Sequence, residues 1–222
     1  MMNSSLGRTG TVGRIDNCLF ESNIVREGSG GGLQFFFYGI HEIRNTVIRG
    51  NMQSNSVGSA VLGGGGIYNM NGGNNGKPLI LYNCAIVSNS APVSYGGGIH
   101  CRSDSDHVIM YNTIVYSNTG YSICLGSAVT SLFAYCCFPT NNIGGAGLYE
   151  FGAGNITNPP AFVDFAGKNL RLTVDSPCVN SGTNQSWMID AVDLDGKKRL
   201  RYGRADMGAY ELIYDATIYR FH

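Results

Sequence analysis

Charged residues are scarce in this chain. They make up 14% of its 222 residues, well below the roughly 25% that is usual for a soluble domain. The formal net charge is zero and no segment forms a basic stripe. Nucleic acid is therefore not expected as a partner.

Long hydrophobic runs are also missing. No apolar segment approaches the roughly 20 residues of a membrane helix, so no membrane span is expected. The opening MMNSSLGRTG lacks the apolar h-region of a signal peptide, so we expect any export signal to lie upstream of this chain. The seven cysteines show neither CxxC nor zinc-site spacing. Their odd, scattered arrangement favours free buried thiols over a disulfide framework.

Glycine is abundant instead, at 32 of 222 residues, about twice its usual share of ~7%. High glycine with little charge can indicate disorder. However, 13 tyrosines, 10 phenylalanines and many β-branched residues favour a packed β structure.

A short segment recurs along the chain. Its copies are DNCLFESN (16–23), RNTVIRGN (44–51), YNCAIVSN (82–89), YNTIVYSN (111–118) and a degenerate YCCFPTNN (135–142). Glycine blocks ending at Leu33, Ile67 and Ile99 lie between copies. A repeat of roughly 20–30 residues made of short β-like runs and turns indicates a β-solenoid. We predict an all-β fold, namely a right-handed parallel β-helix (a single-stranded β-solenoid). About five coils (1–157) precede a C-terminal coil and closing segment (158–222) in one continuous domain.

Stacked coils would align equivalent residues in columns. Asparagine suits tight corners and can bond along a column, which predicts two structural ladders: Asn17, Asn45, Asn83 and Asn112, and six residues later Asn23, Asn51, Asn89 and Asn118. Cys136 takes the corner of the fifth coil in this alignment. With a period of two, the residue after each corner points inward, which makes Cys18, Cys84 and Cys137 small core fillers.

The outward columns carry charge and one apolar stripe. Asp16 is expected beside Arg44, and Glu21 beside Arg49, on neighbouring coils. The stripe is the outer apolar column, Leu19, Val47, Ala85 and Ile114. Either a loop of the chain covers it or it is a partner surface.

Two resemblances rest on these motifs. The [FIV]xxN and GG[G][IL] motifs (15–150) resemble repeats of polymorphic outer-membrane proteins and related bacterial β-helix adhesins. NPPAFVDFAGKNLRLTVDSPCVNSG followed by DLDGKKRLRYGRADMGAYE (158–211) resembles the terminal region of choice-of-anchor β-helix proteins. The resemblance implies an extracellular or cell-surface bacterial protein, often in carbohydrate-rich niches, and no single activity.

The DLDG motif predicts a tight turn. Its carboxylates are expected to meet Arg199, Arg201 or Arg204. An EF-hand would need an acid or amide where Ala191 stands. The alternative is a calcium ion, the one cofactor considered, shared by acidic residues of this region: Asp193, Asp195, Asp206 and Glu211.

Catalytic candidates cluster in IHCRSDSDH. His100, Arg102, Asp104 and Asp106 carry the acid–base groups that a polysaccharide lyase or glycoside hydrolase needs. Other residues that could contribute are His107 and, from a neighbouring coil, His41 and Glu42. The alternative is a solvated turn between coils.

A tyrosine column is the candidate binding site. Tyr82, Tyr111 and Tyr135 form either a sugar-stacking platform or ordinary stacking along the sheet.

These features favour an exported β-helix protein with an adhesive, structural or glycan-contacting role. One alternative is a lyase or hydrolase acting on an acidic polysaccharide. A second is a self-associating scaffold or filament subunit that uses a strand edge or the outer apolar column. The first coil has no evident cap. We therefore expect either an N-terminal extension or coverage of that end by another copy.

Overall fold

The computed structural model describes residues 12–36, 39–54, 63–70, 77–92, 94–102, 106–126, 128–201 and 203–213. This part of the chain is all-β, as predicted, and its helical content is two 3-10 turns, Thr140–Asn142 and Ser186–Met188. The strands are β1 (Val12–Asp16), β2 (Leu19–Glu21), β3 (Ile24–Val25), β4 (Leu33–Phe36), β5 (Ile40–Arg44), β6 (Val47–Arg49), β7 (Met52–Gln53), β8 (Ile67–Met70), β9 (Leu79–Tyr82), β10 (Ala85–Val87), β11 (Gly96–Cys101), β12 (Val108–Tyr111), β13 (Ile114–Tyr116), β14 (Tyr121–Leu125), β15 (Ser131–Ala134), β16 (Ile143–Gly144), β17 (Tyr149–Phe151), β18 (Phe162–Asp164) and β19 (Asn169–Leu172).

Three parallel sheets run through the repeats. Sheet 1 has the order β1-β5-β9-β12-β15-β17, sheet 2 the order β2-β6-β10-β13, and sheet 3 the order β4-β8-β11-β14-β16. Successive repeats thus add a strand to one sheet after another. The small parallel pair β3–β7 and the antiparallel hairpin β18–β19 complete the strands. This topology is consistent with a parallel β-solenoid.

The link between sheets 1 and 2 is a corner made by one residue with positive φ. Asn17, Asn45, Asn83 and Asn112 hold it in the first four repeats, with φ between 47° and 51°. Asparagine tolerates this left-handed conformation better than most side chains. These four residues are called the corner column.

The fifth repeat lies one residue out of the predicted register. Tyr111 pairs with Ala134, and Ile114 with Cys137, so Tyr135 takes the corner with φ 53°. Cys136 is therefore a buried core residue and Cys137 faces outward, opposite to the prediction. The physical reason is volume, because this register puts Phe133 rather than Ala134 in the core.

One hydrophobic core lies between the three sheets. Inward side chains of all three sheets form it, among them Ile43, Ile86, Ile99 and Phe133, each 0% exposed. The glycine blocks bring neighbouring repeats into close contact. A Cβ on Gly97 would lie 1.9 Å from the Thr119 carbonyl oxygen, so a larger residue there would force the repeats apart.

Asn23, Asn51, Asn89 and Asn118 form a second column, the ladder column. Each side-chain carbonyl from Asn51 onward accepts the side-chain amide of the previous member, at 2.9–3.0 Å. The same oxygen also accepts that residue's backbone N–H, at 2.9–3.0 Å. Buried polar groups are thereby satisfied from one repeat to the next.

Residues 158–213, the C-terminal strap, return along the outside of the repeats. Val47 and Ala85 pack with Leu170 and Ala209 of the strap. Ile114 packs in a further cluster with strap residues that include Leu172. Three residues of the outer apolar column are thus covered by the chain itself, whereas Leu19 stays 50% exposed.

Both predicted charge pairs are neighbours in the strand register, and one of them forms an ion pair. Glu21 binds Arg49 at 3.0 Å. Asp16 is the register neighbour of Arg44, but Arg44 pairs with Glu42 at 2.7 Å, because Glu42 lies two residues away on the same face of β5. No helix within the described ranges has the length and hydrophobicity to cross a bilayer.

Candidate functional site

The DLDG region holds a buried arginine. Arg199 is 0% exposed and donates to the Asn45 side-chain oxygen at 2.8 Å. It also donates to the Glu211 carboxylate at 2.6 Å and to the Gly208 carbonyl at 3.0 Å. One strap cation therefore binds both a corner of the repeats and the end of the strap.

The neighbouring carboxylates bind backbone N–H groups. Asp193 accepts from the N–H of Asp195, Lys197 and Glu211 at 2.7–2.9 Å. Asp206 accepts from the N–H of Asn180 and Leu212, both at 2.6 Å. Burial raises the pKa of Asp206. These contacts describe a folded turn whose oxygens are already bonded.

The remaining charges differ from the predicted pairing. Asp195 binds Arg171, with Nε at 2.7 Å, and Arg204 donates to the Gly182 carbonyl. Burial raises the pKa of Glu211 to about 8, against the opposing effect of Arg199. Within the described ranges, no three His, Cys, Asp or Glu side chains are grouped so that they could hold a metal ion.

The catalytic candidates of IHCRSDSDH are mostly buried. His100 is 7% exposed, stacked on Tyr95 at 5.5 Å and in edge contact with Tyr68 at 5.6 Å. Burial, helped by the Arg102 charge, lowers the pKa of His100 to about 4, so the imidazole is neutral at pH 7. Arg102 points to the Met70 sulfur at 3.3 Å.

The charges of Arg102 and Asp106 both act on Tyr68, the ring that His100 contacts at its edge. Asp106 is 0% exposed, and Asp104 lies outside the described residues. His41 and Glu42 belong to sheet 1, whereas His100 belongs to sheet 3. His41 packs on Phe35 at 4.7 Å.

The tyrosine column has two members instead of three. Tyr82 and Tyr111 stack at 5.8 Å and 13°. The Arg44 guanidinium lies over Tyr82 at 5.5 Å, and Arg44 and Tyr111 are its two register neighbours. Both faces of the Tyr82 ring are therefore occupied by side chains of the protein. Tyr135 is at the fifth corner, under Arg204 at 5.8 Å.

A groove that was not predicted lies between sheet 2 and the strap. Its volume is about 410 Å³. We call it the Phe165 groove; its lining residues are Glu21, Arg49, Gly50, Val87, Ser88, Phe165, Ala166, Lys168 and Leu170. The Phe165 ring stacks on Phe162 at 5.8 Å and 14°, so the hairpin holds it in place.

Three charges line the Phe165 groove. Glu21 accepts from Arg49 at 3.0 Å and from Lys168 at 2.5 Å. Hydrogen bonds from Lys168 and then Arg49 lower the pKa of Glu21, so it is ionised at neutral pH. Arg49 also donates to the Lys168 carbonyl, yet its Nε is buried without an acceptor. The lining therefore carries two cations, one anion and an unused guanidinium donor.

Sequence reasoning missed this groove because its walls are far apart in the chain. Glu21 and Lys168 are 147 residues apart. The Glu21–Arg49 pair was visible in the columns, but nothing in the sequence placed the β18–β19 hairpin beside it.

Comparison of the chain with protein-family models, with curated proteins and with solved structures finds no match.

Proposed function

We propose that this chain is a right-handed parallel β-helix exposed at the bacterial surface, and that it binds acidic polysaccharide in the Phe165 groove. The adhesin-like and choice-of-anchor-like motifs support the surface location. The cyclic order in which three parallel sheets gain their strands supports the coil geometry. The single observation that carries the binding role is the combination of apolar floor and excess positive charge in this groove.

The size of the groove suits a sugar. Its volume of about 410 Å³ lies within the roughly 300–1,000 Å³ of small-molecule sites. The partly exposed Phe165 ring offers apolar contact for the C–H groups of a pyranose ring.

The charges favour a uronate over a neutral sugar. An incoming carboxylate would be attracted by the charges of Arg49 and Lys168, and a guanidinium has the planar geometry that suits carboxylates. Lys168 is 56% exposed at its side chain. It can therefore turn from Glu21 to the ligand at little cost, since exposed ion pairs contribute only ~0–1 kcal/mol.

The same groove favours binding over hydrolysis. Hydrolases of the common type flank the scissile bond with two carboxyl groups, one of them protonated. The lining holds a single carboxylate, Glu21, whose lowered pKa keeps it ionised.

Titration calorimetry with oligogalacturonate and with a neutral oligosaccharide of equal length tests the proposal. We expect only the uronate to bind, and Lys168→Gln to weaken binding about 5- to 10-fold. Lys197→Gln is the matched control, because Lys197 pairs with Asp195 outside the groove. Phe165→Ala should weaken both binding and stability.

Equal binding by the two lysine variants, or no uronate binding, would refute the groove as the site. Ultraviolet absorbance from unsaturated uronate products would instead show that the protein is a lyase.

A further inference from the structure

Both ends of sheet 1 present an edge strand with exposed apolar side chains. Among the described strands, β1 and β17 pair on one side only. Val12 of β1 is 49% exposed, and Tyr149 and Phe151 of β17 are 43% and 49% exposed. Natural proteins usually blunt such edges, because an open edge is a template for pairing with another chain.

The exposed rings of β17 occupy core positions. Phe151 is the register partner of Phe133, whose column continues through Met110 toward Ile15 at the other end of sheet 1. Phe151 packs on Phe138 at 5.9 Å but has no further repeat above it. The end of the core is thus an aromatic surface of the kind that the next repeat would bury.

The backbone of sheet 1 has a fixed polarity. At the first three corners, the N–H of the asparagine donates to the strand of the next repeat: Asn17 to Arg44, Asn45 to Tyr82 and Asn83 to Tyr111. Hydrogen-bonding direction alternates along a strand. The backbone groups of Arg14 and Asp16 therefore point away from β5, toward the open edge.

β17 carries the complementary half of this pattern. It bonds back to β15 through the Leu148 carbonyl, which accepts from Ser131, and through the Gly152 N–H, which donates to Phe133. By the same alternation, the backbone groups of Tyr149 and Phe151 point away from β15. The outward backbone N–H and C=O groups of β17 and β1 are therefore placed as they are between any two neighbouring strands of sheet 1.

Side chains also match when the register is continued. Phe151 would meet Ile15 on the core side, and Tyr149 would meet Gly13, beside which the His41 ring lies. On the outer face, Glu150 would stand opposite Arg14, which pairs with Glu42 at 3.2 Å but keeps a side chain that is 52% exposed. Opposite charges in adjacent strands favour one register and disfavour others.

We propose that β17 of one copy pairs in parallel with β1 of a second copy, so that the molecules stack head to tail and continue sheet 1. Such an interface uses two different surfaces of each molecule. It does not close on itself, and growth is therefore open-ended. This inference does not depend on glycan binding in the Phe165 groove.

Sedimentation velocity of the full chain over a wide concentration range tests this. We expect the average mass to rise past that of a dimer as concentration increases. Glu150→Lys places a cation opposite Arg14 and should weaken association at least tenfold. Asp175→Lys makes the same charge change on an exposed strap residue and should leave association unchanged.

Phe151→Ser is a second variant that removes the apolar contact without changing charge, and it too should abolish growth. Circular dichroism checks that each variant is folded. A monomer at all concentrations, a mass that stops at a dimer, or equal association by the two lysine variants would overturn the proposal.

Discussion

The repeats and the C-terminal strap satisfy their buried polar groups in different ways. In the repeats, the ladder column spreads similar amide hydrogen bonds over four residues. In the strap, one buried cation, Arg199, bonds to three different partners. A ladder can lose one member and keep the others, whereas the strap depends on single residues. Substitutions in the ladder should therefore lower stability by amounts that depend on position, whereas substitutions at key strap residues should lower it strongly.

The largest effect is expected at Arg199. At pH 9, above the Glu211 pKa of about 8, Arg199→Met leaves the ionised Glu211 buried without its cation and removes a bond to Asn45, which should lower the free energy of unfolding by about 3–5 kcal/mol. Urea denaturation followed by tryptophan fluorescence measures this, because Trp187 lies in the strap. The double variant Arg199→Met with Glu211→Gln should recover part of the loss, since no buried charge remains. No recovery would contradict the importance of this ion pair.

A smaller effect is expected in the middle of the ladder column. Asn89→Ala removes bonds to Asn51, Asn118 and the Ile48 carbonyl, and should cost about 2–3 kcal/mol in unfolding free energy. Asn23→Ala, at the exposed end of the ladder, should cost less than about 1 kcal/mol. Equal losses by thermal or urea denaturation would show that position in the ladder does not matter.

Acid should weaken the repeats through His100. Its pKa is about 4 when folded against an ordinary value of 6.5, so the unfolded state takes up the proton first. The contribution of His100 is complete above pH 6.5 and falls as pH drops toward 4, by about 2 kcal/mol. Urea denaturation at pH 7 and pH 4.5 should show that the stability of His100→Gln relative to the wild type is higher at pH 4.5 than at pH 7, a comparison in which contributions of other groups cancel.

In the strap, Glu211 contributes to stability with the opposite pH dependence. The raised pKa of Glu211 gives a contribution to the free energy of unfolding that is complete below the pKa of the unfolded state and is lost as pH rises toward about 8.

If His100→Gln and the wild type show the same change in stability between the two pH values, the acid sensitivity does not arise at His100.

The columns of the first four repeats were predictable because each residue type reports its own constraint. Asparagine marks a positive φ at Asn17, Asn45, Asn83 and Asn112, and glycine marks close approach of neighbouring repeats. The fifth repeat lost the asparagine signal, since Tyr135 holds the corner. Core volume was the remaining guide, because Phe133 matches the column of Met110 better than Ala134 does.

The path of the strap and the candidate site were not predictable in the same way. The strap has no repeat, so no column shows which of its residues meets which corner. The Phe165 groove and the Arg199–Asn45 bond each join residues about 150 positions apart. His100 was noticed because charge is rare in the chain, but its burial depends on Tyr68 and Tyr95, which the sequence alone did not place around it.

The Arg199–Asn45 bond also bears on how the chain folds during synthesis. Each repeat contacts mainly its neighbours and can assemble as it leaves the ribosome. The outer apolar column at Val47, Ala85 and Ile114 nevertheless stays uncovered until the strap emerges. The Asn45 side chain likewise gains its bond from Arg199 only after 154 further residues have been made. The newly made repeats thus pass through a stage in which the outer apolar column is exposed and can be bound by chaperones or by neighbouring nascent chains. Docking of the strap ends that stage.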